Sequence, residues 1–126
     1  MEKSIEKFYI ETFGCQMNEF DSERIEYLLE TCGYLRTNDL NSANIILINT
    51  CSVREKADNR LYGHLGNLKS LKINNPDTLI CVGGCTAQSL KEEIISQFPF
   101  IDIVFGTKNI KNLPELIKKR KQTNKI

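Results

Sequence analysis

The sequence predicts an α/β domain of three layers, built on a mainly parallel sheet of about four strands. Short apolar runs alternate with longer segments of helical periodicity, in the order strand, helix, strand, helix. Alternation with short links gives a parallel sheet with right-handed crossovers. A weak internal repeat of strand, short turn, cysteine and helix points the same way. It occurs at Cys15, Cys51 and Cys85, at intervals of 36 and 34 residues, close to one strand–helix–strand unit.

The first strand is expected at Phe8–Phe13. The helix after it starts near Asn18, a good N-cap, and carries Ile25, Leu28, Leu29 and Cys32 at helical spacing. Gly33 ends it in the position just past the last turn. The second strand, Asn44–Asn49, holds the unbroken run Ile-Ile-Leu-Ile, which suits a strand buried on both faces. The second helix covers Ser52 to Leu71, with Val53, Ala57, Leu61, Leu65 and Leu68 on one stripe. Asn74-Asn-Pro-Asp77 is a turn, and Leu79–Val82 is the third strand. A capping box, Ser89-Leu-Lys-Glu92, opens the third helix, whose apolar residues are Leu90, Ile94, Ile95 and Phe98 and which Pro99 stops. Asp102–Phe105 is the fourth strand. The fourth helix starts between Asn109 and Asn112, tolerates Pro114 in its first turn and turns Leu113, Leu116 and Ile117 inward.

The 126 residues suit one core, and 40% apolar with 26% charged residues is a globular profile. No apolar run approaches the ~20 residues needed to cross a bilayer, and Met1–Lys7 lacks the apolar centre of a secretory signal. The expected location is therefore cytoplasmic, with no membrane partner. In that reducing compartment five cysteines read as free thiols or metal ligands, not as a disulfide framework. The formal charge of +1 is uneven: Gly106–Ile126 holds seven basic residues and one acid, leaving −5 on the rest. A body of that sign is a poor nucleic-acid binder by itself. The stretch 118–126 reads as a basic tail or truncated linker, and 1–117 as the domain.

If the strands lie parallel, Cys15, Cys51 and Cys85 gather at the C-terminal edge of the sheet, where open α/β sheets place their ligands. Each also precedes a helix N-terminus, whose free N–H groups and dipole favour a thiolate. Gly14, Gly83 and Gly84 let the backbone turn tightly at that edge. Converging sulfurs favour an iron–sulfur cluster or zinc. Structural zinc usually takes four ligands, often in Cys-x-x-Cys pairs; this chain has no such pair and one histidine, His64, in the middle of the second helix. A [4Fe–4S] cluster normally has four cysteine ligands, so three would leave one iron open. Taken singly, each cysteine reads as a small buried hydrophobe. Three equivalent topological positions favour ligation. Cys32 and Cys81 read as core.

Arg54 and Lys56 follow Cys51 and either face an anionic ligand or form a solvated helix end. Asn18, Asn49, Thr50 and Gln88 flank the sulfurs; they are hydrogen-bond donors there, or simple caps and turn residues. Gly63 and Gly66 in the second helix cost about 1 kcal/mol each relative to Ala, which close helix packing or a docking surface for another domain explains.

At these residues the chain resembles the N-terminal domain of the radical-SAM methylthiotransferases. The matching segments are Thr12-Phe-Gly-Cys-Gln-Met-Asn18 with Asp21-Ser-Glu23, Asn49-Thr-Cys-Ser-Val-Arg-Glu-Lys-Ala57, Gly83-Gly-Cys-Thr-Ala-Gln88 and Val104-Phe-Gly-Thr107. The likeness covers Phe8 to Ile117, and its motifs look most like the MiaB-type branch, which adds a methylthio group to isopentenyl-modified adenosine beside the anticodon. The resemblance implies that Cys15, Cys51 and Cys85 bind an auxiliary [4Fe–4S] cluster whose open iron carries the sulfur.

The family's second domain has a Cys-x-x-x-Cys-x-x-Cys motif, for a second [4Fe–4S] cluster that cleaves S-adenosylmethionine, and an RNA-binding domain follows it. That spacing is absent here. The resemblance thus implies a transferase domain insufficient for turnover alone, partnered in cis or in trans by a radical-SAM domain and reaching tRNA through domains outside this sequence. The isolated domain is expected to be a monomer. Three alternatives stand beside this reading. One is the same domain acting on threonylcarbamoyladenosine or a ribosomal protein; the others are a non-catalytic α/β interaction module and a structural zinc protein.

Overall fold

The computed structural model describes residues 6–13, 16–50, 59–84, 95–96 and 98–123. Five strands, β1 (Lys7–Phe13), β2 (Leu35–Arg36), β3 (Ile45–Thr50), β4 (Leu79–Gly84) and β5 (Ile103–Gly106), form one sheet in the order β2-β1-β3-β4-β5. Every pairing in it is parallel. Three helices are described: α1 (Gln16–Thr31), α2 (Asn59–Asn74) and α3 (Leu113–Thr123).

The alternation of side chains along each strand sorts the apolar residues into two cores. On one face Phe8, Ile45, Leu47, Leu79, Cys81, Ile103 and Phe105 pack against Ile25 and Leu29 of α1 and Leu113 and Ile117 of α3. On the other, Ile46, Ile48, Ile80, Val82 and Val104 pack against Leu65 and Leu68 of α2. Ile45 to Ile48 are all fully buried, which is why that strand reads as a continuous apolar run. Ile95 and Phe98 join the α2 side, as their spacing predicts; Ile95 and Ser96 are helical, and the capping box before them lies outside the described residues.

The fifth strand, β2, escapes sequence reasoning because it is two exposed residues with no period to detect. Tertiary contacts hold it. Gly33 takes φ +98°, and its N–H bonds Glu30 O while Tyr34 N–H bonds Leu29 O, the paired pattern of a glycine-terminated helix. The chain leaves α1 already aimed at the sheet edge, where Leu35 N–H reaches Glu6 O and Thr37 N–H reaches Phe8 O. The same geometry corrects the reading of Cys32: it follows the last helical residue and is exposed. Helix α1 starts at Gln16, so Asn18 lies inside its first turn instead of capping it. Before α3 a 310 turn, Thr107–Asn112, stands where the sequence places the start of the fourth helix.

A buried ionic cluster closes the N-terminal edge of the sheet. The Asp102 side chain, 4% exposed, accepts from Lys72 Nζ at 2.7 Å and Arg120 Nη2 at 3.1 Å, and from the Ile80 amide at 3.0 Å. Lys72 belongs to α2 and Arg120 to α3, so one carboxylate ties together the helical layers on opposite faces. It stands at the edge away from the candidate site.

Candidate functional site

At the C-terminal edge the strands end level. Phe13 of β1 pairs with Thr50 of β3, Thr50 with Gly84 of β4, and Gly84 with Gly106 of β5. Neighbouring strands lie about 4.8 Å apart. Cys51 and Cys85 directly follow Thr50 and Gly84, and Cys15 follows Phe13 by two residues. The three cysteines themselves, with Arg54, Lys56 and Gln88, lie outside the described residues. Among the described residues no group of three or more histidines, cysteines or acids is arranged to hold a metal. His64 is placed within α2, away from the row of strand ends in sequence.

The row spans a topological switch point. From β1 the chain passes through α1 on one face to β2, and from β3 it reaches β4 after α2 on the other face. Where successive crossovers diverge, the strand ends leave a crevice for a ligand. In the sequence Cys15 comes two residues after the end of β1 and Cys51 one residue after the end of β3.

One step below the edge, on the α1 face, a second register row contains Thr12, Asn49, Gly83 and Phe105. Its first half is polar. The Asn49 side-chain amide donates to Ser22 Oγ at 3.0 Å, and Ser22 Oγ shares a hydrogen bond with Thr12 Oγ1 at 2.7 Å. Asn49 is 2% exposed and Ser22 8%. The sequence marks Asn49 as a donor or turn residue, and in the fold it is a buried strand residue bonded to a helix. Ser22 enters the sequence reading only within the matching segment Asp21-Ser-Glu23 and with no role, although its spacing from Ile25 and Leu29 puts a hydroxyl on the apolar stripe of α1. A polar residue on a core stripe is the signal that finds it.

The second half of the row is steric. A side-chain carbon at Gly83 would collide with Cδ2, Cε2 and Cζ of Phe105. Gly83 is therefore not the turn residue that the sequence suggests; it sits inside β4 and admits a neighbouring ring. Gly84 and Gly106 follow as a pair of glycines at the very edge, which leaves the backbone of β4 and β5 there free of Cβ atoms.

On the opposite face of β1, Tyr9 donates its hydroxyl to Glu11 Oε1 at 2.7 Å. That bond, helped by burial and by the Glu11 charge and opposed by Arg36, pushes the Tyr9 hydroxyl up to about 12. Tyr9 is therefore a neutral donor at physiological pH. Cys81 is fully buried as expected. Burial raises its thiol well above the usual range, the Asp102 charge adds to this and Lys72 works against it. A neutral thiol sealed in the core is no metal ligand.

The profile of the uncharacterized protein family UPF0004 matches residues 7–106. Similar relatives include the tRNA-2-methylthio-N(6)-dimethylallyladenosine synthase of Bacillus subtilis, 50% identical over 88% of this chain and 22% of the relative. The synthase of the same name from Sulfurihydrogenibium sp. is 52% identical over 94% of this chain and 27% of its own length. That of Mycobacterium bovis is 49% identical, over 94% and 23%. The chain thus spans about a quarter of the curated relatives it matches. Among solved structures, a flavo di-iron protein variant from Thermotoga maritima superposes with a TM-score of 0.62 over 90% of this chain and 35% of that one. At 11% identity it shares the fold alone.

Proposed function

This chain belongs to the protein family UPF0004, as the N-terminal domain of MiaB-type methylthiotransferases does, and from that membership we propose that it is the iron–sulfur-binding domain of a tRNA methylthiotransferase. Cys15, Cys51 and Cys85 would be its three ligands. The observation that supports this best is the level row of Phe13, Thr50 and Gly84, since each cysteine departs from it within two residues.

The surroundings suit an anionic sulfur-ligated group. The donor set is soft, three thiolates without a Cys-x-x-Cys pair, which favours iron–sulfur over structural zinc. Helix α1 begins at Gln16, the residue after Cys15, so the unpaired N–H groups of its first turn favour thiolate there. The glycines at the edge let backbone approach closely. When bound, a [4Fe–4S] cluster held by three cysteines supplies one iron with an open position for sulfur. The domain's part is to keep the three thiolates deprotonated, to fix their spacing and to present that position at the open edge.

The whole protein would insert a methylthio group at C2 of N6-isopentenyladenosine beside the anticodon. The name that the relatives carry favours this nucleoside over threonylcarbamoyladenosine or a ribosomal-protein target. S-adenosylmethionine, its own [4Fe–4S] cluster and the main tRNA contacts belong to further domains, in cis or in trans, because this chain has no Cys-x-x-x-Cys-x-x-Cys spacing. No described helix is long and apolar enough to cross a membrane, and unpaired cysteines suit a reducing compartment such as the cytoplasm.

Anaerobic reconstitution with iron and sulfide tests the reading. About four irons per chain are expected, with loss of cluster absorbance in Cys15→Ala, Cys51→Ala and Cys85→Ala alike. Iron content unchanged in each single variant, or zinc as the metal taken up, would overturn it.

A further inference from the structure

Resting on the cluster-binding reading, we infer that Thr12, Ser22 and Asn49 form a positioning network that fixes the spacing between the ends of β1 and β3, and hence between the ligands that follow them. Three observations carry it. The network joins the three elements that meet at the switch point: Thr12 lies on β1, Ser22 on α1 and Asn49 on β3. It lies directly beneath the edge, because Thr12 and Asn49 are register partners and the next pair, Phe13 and Thr50, ends both strands. It is also a polar group of contacts in an otherwise apolar layer, since the positions below it on that face are Phe8, Ile10, Ile45 and Leu47, with Ile10 partly buried and the others fully buried.

Apolar packing alone would hold α1 against the sheet, as Ile25 and Leu29 already do. Such packing tolerates small slides. A hydroxyl shared between one strand's threonine and the other's asparagine does not, because a slip of α1 by one residue would break both hydrogen bonds to the buried Ser22 hydroxyl. The first turn of α1 is thereby locked in height relative to both strand ends. Cys15 immediately precedes that helix, and Cys51 is two residues past Asn49. Hydrogen-bonded groups behind metal ligands commonly govern affinity in this way.

Ser22→Ala and Thr12→Val test the inference in the full 126-residue chain. Thr12→Val keeps the side-chain shape and strand preference, and far-UV circular dichroism of the iron-free protein verifies folding of each variant. After anaerobic reconstitution, chelator-driven loss of iron is expected to run about tenfold faster or more in both variants, with a shifted electron paramagnetic resonance spectrum of the reduced cluster. Lys72→Met is the control: it weakens the Asp102 cluster at the opposite edge, so it lowers the urea midpoint and leaves iron loss at the wild-type rate. Folded Ser22→Ala and Thr12→Val variants with wild-type loss rates and spectra would overturn the network's role while leaving the cluster reading intact. Equal acceleration in Lys72→Met would overturn it too, by tracing the effect to general stability. Wild-type chain that takes up no iron would overturn the cluster reading and this inference together.

Discussion

The ring of Phe105 fills the space in which a side chain at Gly83, its register partner across β4 and β5, would stand. Phe105 is 1% exposed, so its ring cannot move aside without giving up core packing. Gly83→Ala is therefore expected to destabilise the domain by about 1–3 kcal/mol through overpacking. Urea unfolding of the iron-free protein measures it, and Phe105→Leu added to Gly83→Ala should recover part of the loss. A neutral Gly83→Ala would contradict the steric account.

Asp102 is expected to be the most sensitive charged residue outside the candidate site. Its removal leaves the amide of Ile80 and the ammonium of Lys72, 17% exposed, without their shared acceptor. Asp102→Ala should cost roughly 3 kcal/mol, the low end for breaking a buried pair. Arg120→Ala should cost about 0.5–1 kcal/mol, because the guanidinium is 38% exposed and its pairing is screened. Equal losses in the two variants would show that the carboxylate does not bridge the layers as described.

The Tyr9–Glu11 bond predicts a pH dependence at the alkaline end. Tyr9 is neutral when protonated, and folding raises its pKa from 10.0 to about 12. The folded state thus holds the proton more tightly than the unfolded state. The stability this contributes is fully present below pH 10 and is lost as pH rises through about 12. In Glu11→Gln the leading cause is weakened and the tyrosine should ionise at lower pH. Ultraviolet absorbance titration reads this, with Tyr9→Phe subtracted to isolate Tyr9 from the other three tyrosines. An unchanged titration in Glu11→Gln would contradict it.

Cys32 and Cys81 should separate cleanly by thiol labelling. In a chain with Cys15, Cys51 and Cys85 replaced by serine, one thiol is expected to react with an aromatic disulfide reagent under native conditions. That thiol is Cys32, which is exposed. Cys81 should react only on unfolding, because it is buried and its thiolate is disfavoured. Fast labelling of both would mean that β4 is accessible in the native state.

Reading the two cysteines from sequence succeeds for one and fails for the other for a single physical reason. Cys81 lies between Ile80 and Val82 on a strand buried on both faces, so burial follows from local pattern. Cys32 continues the spacing of Ile25, Leu28 and Leu29, but the helix ends at Thr31 and the spacing no longer describes a face. Periodicity reports direction only while the element persists. Gly83 reads wrongly as a turn residue for a related reason: its neighbour Phe105 is 22 residues away in sequence, and no local rule connects them.

The order of the four longer strands, the parallel sheet, the doubly buried β3 and the placing of three cysteines after strand ends were legible in the linear pattern, because burial and periodicity are properties of short segments. The strand order β2-β1-β3-β4-β5, the level alignment of Phe13, Thr50 and Gly84, and the joining of Ser22 to Asn49 belong to the packed molecule alone. They depend on which strand lies beside which and at what register. Long-range packing chooses these once both faces of the sheet must be covered at the same time.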